Sequence, residues 1–204
     1  ARTRSQVLLI DAGCRVHNYC SDITRTHTRP EAHPVFHALL AGMDVLQQTL
    51  VGQVRPGESF LELHIAAHAG VCELLLRHGV CAGSVAQLME EGISTLFFPH
   101  GLGHLLGIQV HDVGGRQQNR AGDILPPPPR YPALRTTRQM EEGQVFTIEP
   151  GLYFIPSLLD PERSSSRGRL IDWSLVDELL PCGGIRIEDN ILVTSSGHRN
   201  LTRG

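Results

Sequence analysis

Three acidic residues stand where strands should be purely apolar. Asp11 closes the run Val7-Leu8-Leu9-Ile10, Glu149 follows Phe146-Thr147-Ile148, and Glu188 lies between Ile187 and Asp189-Asn190-Ile191-Leu192. Withdrawing an ionised carboxylate from water costs on the order of several kcal/mol unless a cation or hydrogen bonds offset it. Any fold that buries these strands must therefore bring positive charge to the acids. The arginines close by in sequence are Arg15, Arg25, Arg138 and Arg186. They are enough for one each, but divalent ions would compensate several acids at once.

The first acid has a partner. Val7 to Ile10 ends in the turn signal Asp11-Ala12-Gly13, and Asn18 to Thr28 reads as the antiparallel return strand. A hairpin turning near Val16 and His17 places Asp11 and Asp22 on facing positions, with Cβ atoms ~5 Å apart. Two carboxylates that close repel unless they share a proton or a metal ion. Taken singly, a strand-end aspartate is most often a turn or capping residue. Two more acids in apolar strands and a histidine cluster outweigh that reading.

The histidines lie in His100-Gly101-Leu102-Gly103-His104, followed by His111-Asp112. Glycines at 101, 103 and 107 argue against a helix, so this is not a helical zinc motif of the HExxH type. His27, His33, His37, His64, His68, His78 and His198 lack such a setting and read as ordinary surface or core residues.

Elsewhere the chain reads as α+β, with antiparallel strands and helices on one side. Apolar residues at helical spacing (Phe36, Leu39, Leu40, Met43, Val45, Leu46, Leu50) predict a helix from Pro34 to Gln53, ended by Arg55-Pro56-Gly57. Ser59 with Glu62 forms a capping box for a second helix reaching Gly79, and a short helix spans Ser84 to about Glu91. Pro126 to Pro129 must be extended. Strands are expected at 145–148, 151–155 and 185–193, with a polar, mobile excursion at 160–169.

With 204 residues, 41% of them hydrophobic, one sizeable core and one domain over 1–204 are expected. A net charge of −3 with scattered cations argues against nucleic acid as a partner. Five cysteines without CxxC pairs suggest neither a disulfide framework nor a thiolate zinc site, and fit a reducing, cytoplasmic setting. No run approaches the ~20 apolar residues of a membrane span, and no signal-peptide core is present, so no membrane partner is expected. A chain that opens almost at once on a central strand reads as a piece of something longer.

The segment from His100 to Asp112 resembles the signature of the prolidase and aminopeptidase P family. Asp11-Ala12-Gly13 with Ser21-Asp22-Ile23-Thr24-Arg25-Thr26 resembles that family's first ligand pair, and Thr147-Ile148-Glu149-Pro150-Gly151 and Ile185-Arg186-Ile187-Glu188-Asp189 its last two ligands. The segments Tyr131 to Arg138 and Gly151 to Leu159 are most similar to bacterial Xaa-Pro dipeptidases, a branch shared with organophosphorus acid anhydrolases. The resemblance implies a pita-bread fold with Asp11, Asp22, His104, Glu149 and Glu188 as metal ligands. Asp11 would chelate one ion, His104 and Glu149 the other, and Asp22 and Glu188 would bridge. It also implies a preceding N-terminal domain, earlier elements of the catalytic domain, and a full-length homodimer.

The oxygen-rich donor set suits two Mn2+ ions and tolerates Co2+ or Zn2+, with a hydroxide shared between the ions as the nucleophile for Xaa-Pro dipeptides. Glu149 would also carry the proton, and His111 would stabilise the tetrahedral intermediate, with His100 beside it. Arg186, two residues before Glu188 and on the same face, would clamp the dipeptide carboxylate, unless it pairs with a ligand acid instead. Leu134 and Tyr153 are weaker pocket candidates. Three rivals stay open at this level: a phosphotriesterase, an aminopeptidase P, and a binding module of the same fold that has lost catalysis.

Overall fold

The protein is described by a computed structural model covering residues 6–203. It opens on a hairpin of β1 (Val7–Ala12) and β4 (Ile23–Thr28), whose tip is the small ladder of β2 (Arg15–Val16) and β3 (Tyr19–Cys20). The turn falls on His17 and Asn18, at φ 47° and 67°, the left-handed conformation that two-residue hairpin turns favour. This moves the turn one residue beyond the expected place and the register by two. Asp11 therefore stands opposite Thr24, with Asp22 diagonal to it rather than facing it. Residues two apart on a strand share a face, so both acids still point the same way.

The expected strand 185–193 is interrupted. It forms β7 (Gly184–Arg186) and β8 (Asp189–Val193), with Ile187 and Glu188 between them. At the interruption β4 bridges across from one side, where Glu188 N–H donates to the Thr24 carbonyl at 3.1 Å. From the other side β5 (Val145–Ile148) pairs with β8 and β6 (Gly151–Tyr153) with β7, Ile148 opposite Asp189 and Gly151 opposite Arg186. The short strand β9 (His198–Asn200) continues beside β8 on the side of β4. Residues 102–106 run along β5: Thr147 N–H donates to the His104 carbonyl at 3.0 Å and Glu149 N–H to that of Leu102 at 2.8 Å. That approach needs glycine, because a Cβ on Gly103 would stand 1.9 Å from the Thr147 carbonyl oxygen.

Helices cover the opposite face. Helix α1 (Pro34–Val51) and helix α2 (Phe60–Arg77) form as the spacing predicts, and Ser59 Oγ accepts Glu62 N–H at 3.3 Å. Phe60 meets Phe146 of β5 edge-on at 5.1 Å between centroids, and Phe36 and Phe97 flank Phe154. Each such buried ring contributes about 1.5–3 kcal/mol. Val45, expected on the buried stripe of α1, is 65% exposed, and Gln47 takes the buried place at that turn. The short helices α3 (Val85–Glu90) and α4 (Ile93–Phe97) follow, the second unannounced by any pattern in sequence.

Between Pro156 and Cys182 lie α5 (Pro156–Leu159), α6 (Trp173–Leu179) and short 3-10 turns. The expectation of a mobile excursion at 160–169 is corrected. Glu162 accepts two bonds from Arg167 at 2.5 and 2.7 Å, and Arg163 reaches Asp160 and Asp177 while lying over the Trp173 ring at 4.6 Å. The proline run 126–129 adopts neither helix nor strand. Among the described residues, nearly all buried apolar side chains, Ala32 and Leu106 apart, form one cluster, all five cysteines are free thiols, and no helix is long and apolar enough to cross a membrane.

Candidate metal centre

Antiparallel pairing puts directly opposed residues on one face of a sheet, and that rule assembles the site. Asp11 opposes Thr24, Thr24 opposes Glu188, and Asp22 and Arg186 lie two residues away on their own strands. Continuing the β5–β8 register sets Glu149 across from Glu188, and His104 stands across from Thr147, two residues before Glu149. All five residues expected as ligands thus share one face and line one cavity of about 350 Å3.

Their ligating atoms converge. Those of Asp11, Asp22 and Glu188 lie within 4.8 Å of one another, as do those of His104, Glu149 and Glu188. A third group joins Asp22, His104 and His111. His104 Nε2 lies 3.4 Å from Glu149 and 3.6 Å from Asp22. The hairpin tip locks the histidine loop against this cluster: Cys20 N–H donates to the Gly107 carbonyl at 2.8 Å and the Tyr19 hydroxyl to that of Leu106 at 2.8 Å.

Cations do not balance these acids. Of the four arginines nearby in sequence, Arg25 pairs with Asp189, Arg138 with Glu141, and Arg15 donates to the Ile108 carbonyl. Only Arg186 reaches the cluster. It pairs with Asp11 and donates to Thr24 Oγ1 at 3.1 Å and the Tyr153 hydroxyl at 3.2 Å. Burial and neighbouring acids accordingly push Asp22 up to about 6, Glu188 to about 7 and Glu149 to about 8. Glu188 Oε1 is buried with no hydrogen-bond partner, a costly state for a carboxylate oxygen. A cation bound between these residues would satisfy it, so the donor set fits divalent metal.

The remaining expected residues divide. His100 lines the cavity, with Nε2 2.9 Å from the Tyr153 hydroxyl, and burial lowers it to about 4. Burial likewise lowers His104 to about 4 and shifts the more exposed His111 down. Leu134 does not line the metal cavity. Its side chain is fully buried and borders a neighbouring cavity with His64 and His68, because Ala133 and Arg135 on either side of it take the places facing the acids.

Sequence reading missed Arg135. It lines the metal cavity and the groove beyond His111, and its guanidinium has no hydrogen bond or ion pair among the described residues. One arginine in a loop carries no periodicity, and the run from Leu134 to Arg138 offered only the residue type.

Carboxylates and an imidazole close on one cavity as a candidate metal centre, and residues 2–195 match the model of Metallopeptidase family M24. The chain belongs to that family, which uses divalent metal ions. It is 50% identical over 201 residues to the Xaa-Pro dipeptidase of Marinobacter nauticus, covering 98% of this chain and 45% of that protein. The Xaa-Pro dipeptidase of Aeromonas hydrophila is 48% identical over 195 residues, covering 96% and 44%. Among solved structures, Pseudomonas aeruginosa aminopeptidase PepP superposes with a TM-score of 0.73 at 30% identity, over 96% of this chain and 38% of that one. Zinc-substituted Escherichia coli aminopeptidase P in complex with product gives 0.71 at 31%, over 97% and 38%. The fold is thus the pita-bread fold that the sequence resemblance implies, and the chain spans less than half the length of these relatives.

Proposed function

We propose that the protein to which this chain belongs is a two-metal Xaa-Pro dipeptidase, with Asp11, Asp22, His104, Glu149 and Glu188 holding the ions. The observation that carries this reading is the imbalance of charge: four carboxylates converge, Arg186 alone among the described arginines pairs with them, and a buried oxygen of Glu188 is left bare. Oxygen donors with one imidazole favour Mn2+, with Co2+ or Zn2+ as substitutes. Glu188 and Asp22 each belong to two of the three groups of close ligand atoms, as does His104, which supports carboxylates shared between two ions. When bound, such ions polarise the scissile carbonyl and supply a water-derived nucleophile at neutral pH.

The chain's own residues do the rest. Glu149 keeps one oxygen on Thr147 and turns the other towards His100 and Arg186, free to take a proton and return it to the leaving nitrogen. His111, at the rim with its ring 4.3 Å from that of His104, can donate to the carbonyl oxygen as charge develops there. The carboxylate clamp moves from Arg186 to Arg135. Arg186 is occupied by Asp11, Thr24 and Tyr153, whereas Arg135 faces the same cavity with its fork free, the geometry that binds a carboxylate in two bonds. The names of the relatives support the dipeptide substrate, and the free thiols support a cytoplasmic setting.

The test is hydrolysis by the full-length protein loaded with Mn2+, offered Gly-Pro, Ala-Pro-Ala and a phosphotriester. Cleavage of Gly-Pro with two ions per chain is expected. Cleavage of the tripeptide alone would reassign the protein to aminopeptidase P chemistry, and cleavage of the phosphotriester alone to a phosphotriesterase. Failure to bind metal would overturn the reading.

A further inference from the structure

Two threonines stand between the acids and the donors around them. Thr147 Oγ1 lies 3.0 Å from the His104 backbone nitrogen and 3.1 Å from Glu149 Oε1. Thr24 Oγ1 lies 3.1 Å from Arg186 Nε and 2.5 Å from Glu188 Oε2. Both side chains are fully buried, so each hydroxyl must find its partners within the protein.

The bond directions follow from the donors. A backbone N–H and a guanidinium can only donate, so each hydroxyl accepts from one of them and has its single proton left for the carboxylate. Glu149 Oε1 and Glu188 Oε2 are thereby fixed as acceptors, and each carboxylate can rotate only about a pinned oxygen. For Glu188 the consequence is visible, since Oε2 is held while Oε1 has no partner among the described residues. Thr147 couples two members of one metal-capable group, tying the loop at His104 to the carboxylate of Glu149.

We propose that Thr24 and Thr147 are positioning residues that hold one oxygen of Glu188 and of Glu149 and so fix how the two carboxylates face the metal, leaving Glu188 Oε1 bare and keeping Glu149 Oε1 beside His104. The inference rests on the metal-binding reading above. A competing explanation needs only their shape, because threonine is favoured in strands for its branched Cβ. Valine keeps that shape and removes the hydroxyl; serine does the reverse.

The experiment uses the full-length protein and its variants Thr24→Val, Thr24→Ser, Thr147→Val and Thr147→Ser. Mn2+ binding is followed by electron paramagnetic resonance, and melting of the metal-free proteins by circular dichroism. The valine variants are expected to bind at least one ion about 10- to 100-fold more weakly, as loss of such outer contacts does elsewhere, while the serine variants stay within about threefold of the parent. Should a valine variant fail to fold, the alanine variant, which leaves room for a water, takes its place, with weakened binding again expected. Folded valine or alanine variants with unchanged affinity would overturn the proposal, as would serine variants that lose as much as valine. A parent protein that binds no Mn2+ would instead overturn the metal reading, and this inference with it.

Discussion

Glu188 and Asp189, the residue before β8 and its first residue, are neighbours in sequence and have opposite fates. Asp189 points behind the sheet, where Arg25 and Arg203 each approach to 2.6 Å, Asn200 to 2.9 Å and Gln47 to 3.0 Å. Burial alone would raise it, but hydrogen bonds from Asn200, Arg203 and Arg25 hold its carboxyl below the usual range. Glu188 points to the front, with one threonine on one oxygen and nothing on the other. Behind the sheet, two aspartates meet two arginines, since Arg203 also pairs with Asp44. In front, four acids share a cavity with Arg186, which pairs with Asp11, and Arg135, which pairs with none of them. Acids whose charge is matched hold strands, α1 and the C-terminal segment together; acids left unmatched gather around one cavity. All 18 Lys and Arg positions are arginine, and a guanidinium stays charged at any ordinary pH, so the matched side is not released by titration of its cations.

The contrast can be broken most severely from the front. Glu149→Gln is expected to lower turnover of Gly-Pro by about 10²- to 10⁴-fold, the range that proton-transfer groups supply, measured by release of free proline. Retention of full activity would remove Glu149 from the mechanism. From behind, Asp189→Ala leaves Arg25 and Arg203 without their shared acid. Urea unfolding should show a loss of about 3–5 kcal/mol.

Arg135→Ala tests the free cation. Losing a charge-assisted bond to substrate should cost about 1.5–3 kcal/mol, seen as a higher KM for Gly-Pro with kcat less affected, whereas metal content stays at the parent level.

The smallest effect concerns pH without metal. Burial raises Asp22 to about 6, Glu188 to about 7 and Glu149 to about 8, so the metal-free native state keeps protons that the unfolded chain has released. The stability these groups contribute is present below their unfolded values near pH 4 and is lost as pH rises through about 8. The buried pair His64 and His68 works the other way. Burial lowers them to about 3 and 2, so their contribution is intact above pH ~6.5 and is lost as pH falls towards 3. Melting scans of metal-free protein should show the alkaline loss, and Mn2+ should abolish it. Glu188→Gln should soften the same loss by roughly 1–3 kcal/mol at pH 8, the opposite sign to any change at Asp189.

The gathering of the five expected residues around one cavity was legible in sequence through acids inside apolar strands, although Asp189 shows that such an acid can instead be matched by arginines. The loop from His100 to His111 was legible through its glycines, and Gly103 proves to lie against β5. The hairpin register was not, because the turn at His17 and Asn18 carries no glycine to mark it. Arg186 was placed on the face it occupies, with a substrate carboxylate or a ligand acid as its partner, and it pairs with Asp11, since strand periodicity gives the face and not the partner. The order of residues 160–170 depends on Arg163 and Arg167 finding acids at fixed offsets, and composition alone reads that as a polar excursion. Helix α4 and strand β9 are too short for any period to register.

The proposed role of the unmatched acids is to hold two divalent ions. It is tested most directly by counting Mn2+ per chain in the full-length protein, by inductively coupled plasma mass spectrometry after dialysis, alongside Glu188→Gln and Asp189→Asn. Two ions in the parent, fewer in Glu188→Gln and two in a folded Asp189→Asn are predicted. No bound ion in the parent, or two retained without the Glu188 carboxylate, would contradict the account.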